Sequence, residues 1–159
     1  MKPVVLFFLL LCTSCTWQTN DFLEQLSKEN LTKIELKTLN IRLMLPKEHF
    51  VSEINRKISI NLNPKGRAVK QFSINKSKST IDSVKFKESF IFENGAKLEY
   101  NTFITEGGSG GTEFCLSGIF QFEDKTYQIT SSIQEDIKEQ CGPEFCLRYL
   151  STVAHHQFP

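Results

Sequence analysis

Hydrophobic and polar positions follow a few distinct periods along this chain, and the changes of period mark its elements. Val4 to Leu11 is an unbroken apolar run of eight behind Lys2. A run that short cannot span a bilayer, which takes about 20 residues, but it suits the core of a signal segment. Thr16 to Asn20 are polar apart from Trp17 and read as a tether. In Asp21 to Asn30 the residues Phe22, Leu23 and Leu26 recur at helical spacing behind an acidic first turn, which predicts a short N-terminal helix. From Thr32 the pattern becomes alternating: Ile34, Leu36, Leu39, Ile41, Leu43 and Leu45 stand among Lys33, Glu35, Lys37 and Arg42. This predicts one half-buried strand, irregular near Thr38 to Asn40 where the parity shifts, and ended by Pro46.

Lys57 to Leu62 alternates again, Asn63 to Gly66 supplies a turn, and Ala68 to Ile74 reads as another strand before the polar stretch Asn75 to Thr80. Asn94-Gly95 lies between two strand-like runs, the sequence signature of a type I′ hairpin, so Ser83 to Phe92 is paired with Lys97 to Thr105. The glycine stretch Gly107 to Gly111 and the turn at Glu123 and Asp124 extend this pair into an antiparallel meander through Thr112 to Phe122 and Thr126 to Ile133. At the C-terminal end Phe145, Cys146, Tyr149, Leu150, Val153 and Ala154 recur at intervals of three and four behind Pro143 and Glu144, which predicts a helix. The expected fold class is therefore α+β: an antiparallel β-sheet meander with a C-terminal helix packed on it and a short N-terminal helix.

Composition narrows the function classes. About 145 residues after a leader suffice for one domain with one core, and the 12 of the 14 Phe that lie beyond the leader can help fill it. Lys and Arg total 19 against 18 Asp and Glu, and the leader removes Lys2, so the balance is zero and general nucleic-acid binding is not indicated. The distribution is uneven. Glu53 to Lys87 carries nine bases and two acids, whereas Glu88 to Glu144 carries eleven acids and three lysines. Either the two halves lie side by side and neutralise each other, or one half presents a charged surface to an opposite partner.

Gly107 to Gly111 matches the Gly-x-Ser-x-Gly pattern of a nucleophile elbow, with Asp136 and His155 following in the order of a hydrolase triad. The elbow requires a helix after the serine, and Thr112 to Phe122 reads as strand, so Ser109 is not assigned as a nucleophile. No Lys-Ser or Lys-Thr follows the glycines to make a phosphate loop. Glu123, Asp124, Glu135, Asp136 and Glu139 are carboxylates of the kind that bind calcium, but no Asp-x-Asp-x-Asp loop organises them. No enzyme activity, cofactor or metal is predicted. For contact with a protein partner the exposed, charged turns are the candidates: Glu106, Ser109 and Glu113 around the glycines, and Glu123 and Asp124.

Lys2, the apolar run, Thr13, Ser14 and then Cys15 together resemble a bacterial lipoprotein signal, in which the leader is cut before a cysteine that carries the lipid; an ordinary secretory signal and a buried strand are the alternatives. The resemblance implies a signal peptide over residues 1–14, a lipidated tether and short helix over 15–31, and a single domain over 32–159. It also implies the bacterial envelope as location. Because Thr16 and not Asp follows the cysteine, the periplasmic face of the outer membrane is the expected destination. The tether would then reach at most about 18 Å at ~3.5 Å per residue. Cys115, Cys141 and Cys146 would remain in an oxidising compartment, where a pair is expected to bridge: Cys141 with Cys146 across the helix start, or Cys115 with either. A zinc site with His155 or His156 is a weaker reading of the same cysteines.

From Leu39 to Phe158 the chain carries a strand ending in Leu45-Pro46, the turn Gly107 to Glu113 and a C-terminal helical pattern. In that order of elements it is similar to the PsbP-like fold and to envelope immunity proteins against toxins delivered by type VI secretion. This resemblance implies a lipid-anchored binding protein that blocks a secreted effector toxin. A housekeeping envelope lipoprotein, structural or lysozyme-inhibitor-like and with no toxin partner, is the alternative.

Overall fold

Ten strands form two antiparallel sheets that share one core in the computed structural model, which describes residues 24–77, 85–106, 110–137 and 142–155. The leader, Cys15, Ser109, Glu139 and Cys141 lie outside these residues. Strands β1 (Leu31–Leu36) and β2 (Ile41–Pro46) make a hairpin, with β10 (Ala154–His155) on the far side of β2. The larger sheet holds β3 (Phe50–Ile54), β4 (Lys57–Asn61), β5 (Lys70–Lys76), β6 (Glu88–Ile91), β7 (Lys97–Glu106), β8 (Thr112–Phe122) and β9 (Lys125–Gln134). Its spatial order is β3-β4-β5-β9-β8-β7-β6.

Alternation explains which face of the larger sheet is buried. Ile58, Ile60, Phe72, Ile74, Ile129, Tyr127, Leu116, Phe120 and Leu98 all point to the same side and are almost wholly excluded from solvent. Against them lie Ile41, Leu43 and Leu45 of β2 and the aromatic residues of the C-terminal segment. Phe72 lies parallel to Tyr149 at 6.1 Å between centroids and meets Phe145 edge-on at 6.3 Å. Tyr127 spans the two sheets by donating its hydroxyl to Leu39 O at 3.2 Å.

Several expectations are corrected. The fold is mostly antiparallel β-sheet and not α+β, because the helical parts of the described chain are small: residues 24–27, a 3₁₀ turn at Gly142–Phe145 and the helix Cys146–Leu150. The apolar spacing from Phe145 to Ala154 suggested a continuous helix. It stops where Ser151 and Thr152 fold their hydroxyls onto Arg148 O and Tyr149 O, competing with the helical pattern. Thr152 Oγ1 also receives the Met44 N–H at 2.9 Å, and the chain then joins β2 as a strand. The single irregular strand expected over Thr32 to Leu45 is in fact the β1–β2 hairpin. The parity shift is its turn, with Asn40 in the left-handed region at φ 57°.

The meander is present, and its Asn-Gly hairpin joins β6 to β7, but the turn is not type I′. Only Gly95 of the pair has positive φ, at 80°, and the Asn94 side chain reaches across to donate to Val153 O. Two successive left-handed residues instead close the turn between β3 and β4, Asn55 and Arg56 at φ 52° and 66°.

Cys146 is a free thiol, wholly buried, donating to Pro143 O at 3.7 Å, and burial pushes its pKa up to about 12. Cys115 is also free and buried, in β8 with its side chain on the face away from the core. Cys115 and Cys146 therefore enter none of the expected bridges, neither with each other nor with Cys141. The sheet backbone separates the first pair, and the Cys146 thiol is turned towards Pro143.

Gly118 in β8 faces the buried side opposite Tyr100, and a Cβ there would lie 2.5 Å from Glu99 O and 2.6 Å from Tyr100 Cβ. The contact is with backbone and with the root of a side chain, so neither can swing away. Gly118→Ala is expected to cost about 2–3 kcal/mol as an overpacked core substitution, measured as a lower midpoint in urea with unchanged slope.

Candidate protein-binding site

The antiparallel order decides which turns can act together. β8 runs from Thr112 to Phe122, a length of about 34 Å at ~3.4 Å per residue. Glu106 and Glu113 lie at one end of it, in register with Thr112 and Gln134, whereas Glu123 and Asp124 form the β8–β9 turn at the other. The candidate contact residues are therefore split between opposite ends of the sheet. Ser109 falls outside the described residues.

Other carboxylates join Glu106 and Glu113. The Glu135 N–H donates to Thr112 O at 3.1 Å, which places Glu135 and Asp136 beside the start of β8. Glu144, on the 3₁₀ turn, lies against Phe114 and Ile104. Glu106, Glu135 and Asp136 are exposed, and Glu113 and Glu144 are half-buried. The sequence showed Glu135 and Asp136 only as unorganised carboxylates, with no link to the glycine turn, and Glu144 as part of the start of a helix.

Electrostatics at this end is set by burial. Burial pushes the Glu144 carboxyl above its ordinary value, and the Glu88 charge adds to this. The phenol of Tyr100 is raised by burial first and then by Glu144 and Glu88. Glu88 also accepts the Thr102 hydroxyl at 3.3 Å. In the larger sheet the basic stretch builds β3 to β5 and the acidic stretch builds β6 to β9, so the two halves do lie side by side. They meet edge to edge within one sheet, with Glu106, Glu113, Glu135 and Asp136 gathered at one end of β7–β9.

The face of the sheet away from the core has different chemistry. Ser59, Ser73, Thr130, Ser117 and Asn101 stand in one cross-strand row from β4 to β7. Ser73 and Thr130 hydrogen-bond at 2.7 Å. A shallow groove of about 260 Å³ lies over this row, with Lys57, Glu113 and Phe103 on its rim. Among the described residues no group of three or more His, Cys, Asp or Glu could hold a metal ion. The two carboxylate pairs considered for calcium, Glu123-Asp124 and Glu135-Asp136, sit at opposite ends of the sheet. After Gly111 the chain continues as strand β8, so the helix that a nucleophile elbow needs is not there.

Residues 42–154 match the sequence profile of the type six secretion immunity 3 domain (Tsi3), from β2 to the start of β10. The chain belongs to this immunity family. The matched span takes in the whole seven-stranded sheet and the helix behind it, so the acidic end described above is part of the immunity domain. No curated protein matches the chain. Among solved structures, the immunity domain is similar in fold to a crystal structure from Bacteroides thetaiotaomicron VPI-5482, at a TM-score of 0.55 and 10% identity over 79% of this chain. The match spans about half of that protein, 48% of its chain. The family supports a protein partner and a binding role for this immunity domain. It does not by itself select a face.

Proposed function

We propose that this chain is a lipid-anchored immunity protein that binds and blocks a protein toxin delivered by type VI secretion, held through Cys15 at the periplasmic face of the outer membrane. The observation that carries the reading is the family match over residues 42–154. The acidic end supports it physically, since an inhibitor needs rigid elements bearing a charged surface that can steer it to a basic cleft. Glu106 and Glu113 are the residues we place in that contact.

The direct test pairs the full chain with a type VI secretion toxin sought among the genes adjacent to its own. The expected result is a complex with a dissociation constant of roughly nanomolar order and recovery of growth in cells that carry the toxin in the periplasm. Cys15→Ser would move the protein out of the membrane fraction. A chain that neither binds nor protects is not an immunity protein for that toxin.

A further inference from the structure

Strand β7 outruns its neighbour on the outer edge. β6 pairs only with Lys97 to Tyr100. The Asn101 side chain then takes the next backbone groups, receiving the Lys87 N–H at 2.9 Å and donating to Lys85 O at 3.4 Å. Among the described residues no strand lies beside Thr102 to Glu106 on that edge. Here Phe103 and Ile104 are 47% and 66% exposed. Consecutive strand residues point to opposite faces, so the two apolar side chains flank the open edge on both sides. Exposed apolar surface gathered in this way marks a contact site more often than a single stray residue does.

On the core-side face of the same edge is a cavity of about 420 Å³, lined by Thr102, Phe103, Ile104, Phe114, Pro143 and Glu144. Its walls are mostly hydrocarbon, and the carboxylate of Glu144 stands among them. A second carboxylate, Glu88, is held beside it by Thr102 and repels Glu144. Among the described residues no basic side chain forms an ion pair with either. Lys85 and Lys87, on the segment leading into β6, are exposed. A cavity with apolar walls, one carboxylate in its lining and a second, Glu88, bound to its lining residue Thr102 is complementary to a long side chain that ends in a positive charge.

We infer that this cavity receives an arginine of the toxin, with its methylene stem against Ile104, Phe114 and Pro143 and its guanidinium on Glu144 and Glu88. The inference rests on the toxin-binding reading and adds the anchor point to it. Arginine is the occupant because its planar fork can serve two carboxylates and it gives up its hydration more readily than an ammonium; it is also enriched at the centres of protein interfaces. The toxin backbone around that arginine would cover Phe103.

Two measurements test this. In the first, the affinity of the full chain for the toxin is compared among variants: Glu144→Gln and Ile104→Ser each lower it about tenfold or more, and Ile91→Ser, equally exposed on β6, changes it by less than about twofold. In the second, N-acetyl-arginine methylamide is titrated into the isotope-labelled full chain and followed by NMR. Saturable shifts at Thr102, Ile104 and Glu144 that vanish in Glu144→Gln support the site. Wild-type affinity in both variants, alongside a wild-type chain that binds the toxin, overturns the site and leaves the immunity reading standing. If the wild-type chain does not bind the toxin, the immunity reading fails, and the titration alone judges the cavity; an absence of shifts there overturns it.

Discussion

Replacing Glu106 and Glu113 together by lysine is expected to weaken the toxin complex about a hundredfold, because two attractive charges become repulsive and like charges across an interface cost several kcal/mol. Both residues are anchored in the β7–β8 ladder, Glu106 opposite Thr112 and Glu113 opposite Thr105, so their positions do not depend on a loose loop. Glu135, Asp136 and Glu144 share that end, and the double change would offset most of their negative charge. The matched control is Glu123→Gln with Asp124→Asn. That turn lies about 34 Å away along β8, several screening lengths of ~8–10 Å at physiological salt, and the effect there should stay below about twofold. Calorimetry or surface resonance at two ionic strengths measures both, and the loss at Glu106 and Glu113 should shrink as salt is added. A larger loss from the distant turn would move the interface to the other end of the sheet.

Phe72→Ala is expected to be the most destabilising of the single changes, at about 3–5 kcal/mol from lost transfer energy and the cavity left behind. Phe72 is 1% exposed in β5 and touches both aromatic residues that fix the C-terminal segment, Tyr149 face to face and Phe145 by its edge. Each aromatic pair adds roughly 0.5–1.5 kcal/mol to simple burial. The helix Cys146–Leu150 is too short to persist by its own hydrogen bonds and depends on this packing. A loss of that size corresponds to a melting temperature lower by roughly 10 °C for a chain of this length. Thermal unfolding followed by circular dichroism reads it. A drop under about 1 kcal/mol would show that the helix is held mainly from its other side, where Arg148 and Tyr149 bond Gln25 and Glu29.

The meander was readable in the sequence because β7, β8 and β9 each bury one face along at least part of their length, and a hairpin turn ties β6 to them. Alternation then marks both the strand and its register, as in Leu98 and Tyr100 of β7 or Tyr127 and Ile129 of β9. The β1–β2 hairpin was misread as one strand because Leu36, Leu39 and Ile41 are all buried, so the apolar pattern runs through the turn. β3 was not recognised: its exposed Phe50 and Ile54 and half-buried Val51 at a sheet edge give no clean alternation. At the candidate site, Glu106 and Glu113 were legible as charges flanking a glycine turn. Glu144 and the pair Phe103-Ile104 were not singled out, although two adjacent large apolar residues in a strand already imply that one of them faces away from the core.

What the sequence determined by itself was local and periodic: the antiparallel meander and the division into a basic and an acidic half. These follow from neighbouring residues, whose spacing fixes which side chains share a face. Tertiary structure decided what depends on distant partners. It turned Val153 to His155 away from a helix and onto β2, and it placed Cys115 and Cys146 on opposite sides of the sheet. It also set the two charged turns at opposite ends of β8 and brought Glu88, from β6, to Glu144, more than fifty residues later. Turns reveal which consecutive strands pair, but pairings between distant strands, such as β5 with β9, are set by burial of all the faces at once, and no local pattern encodes them.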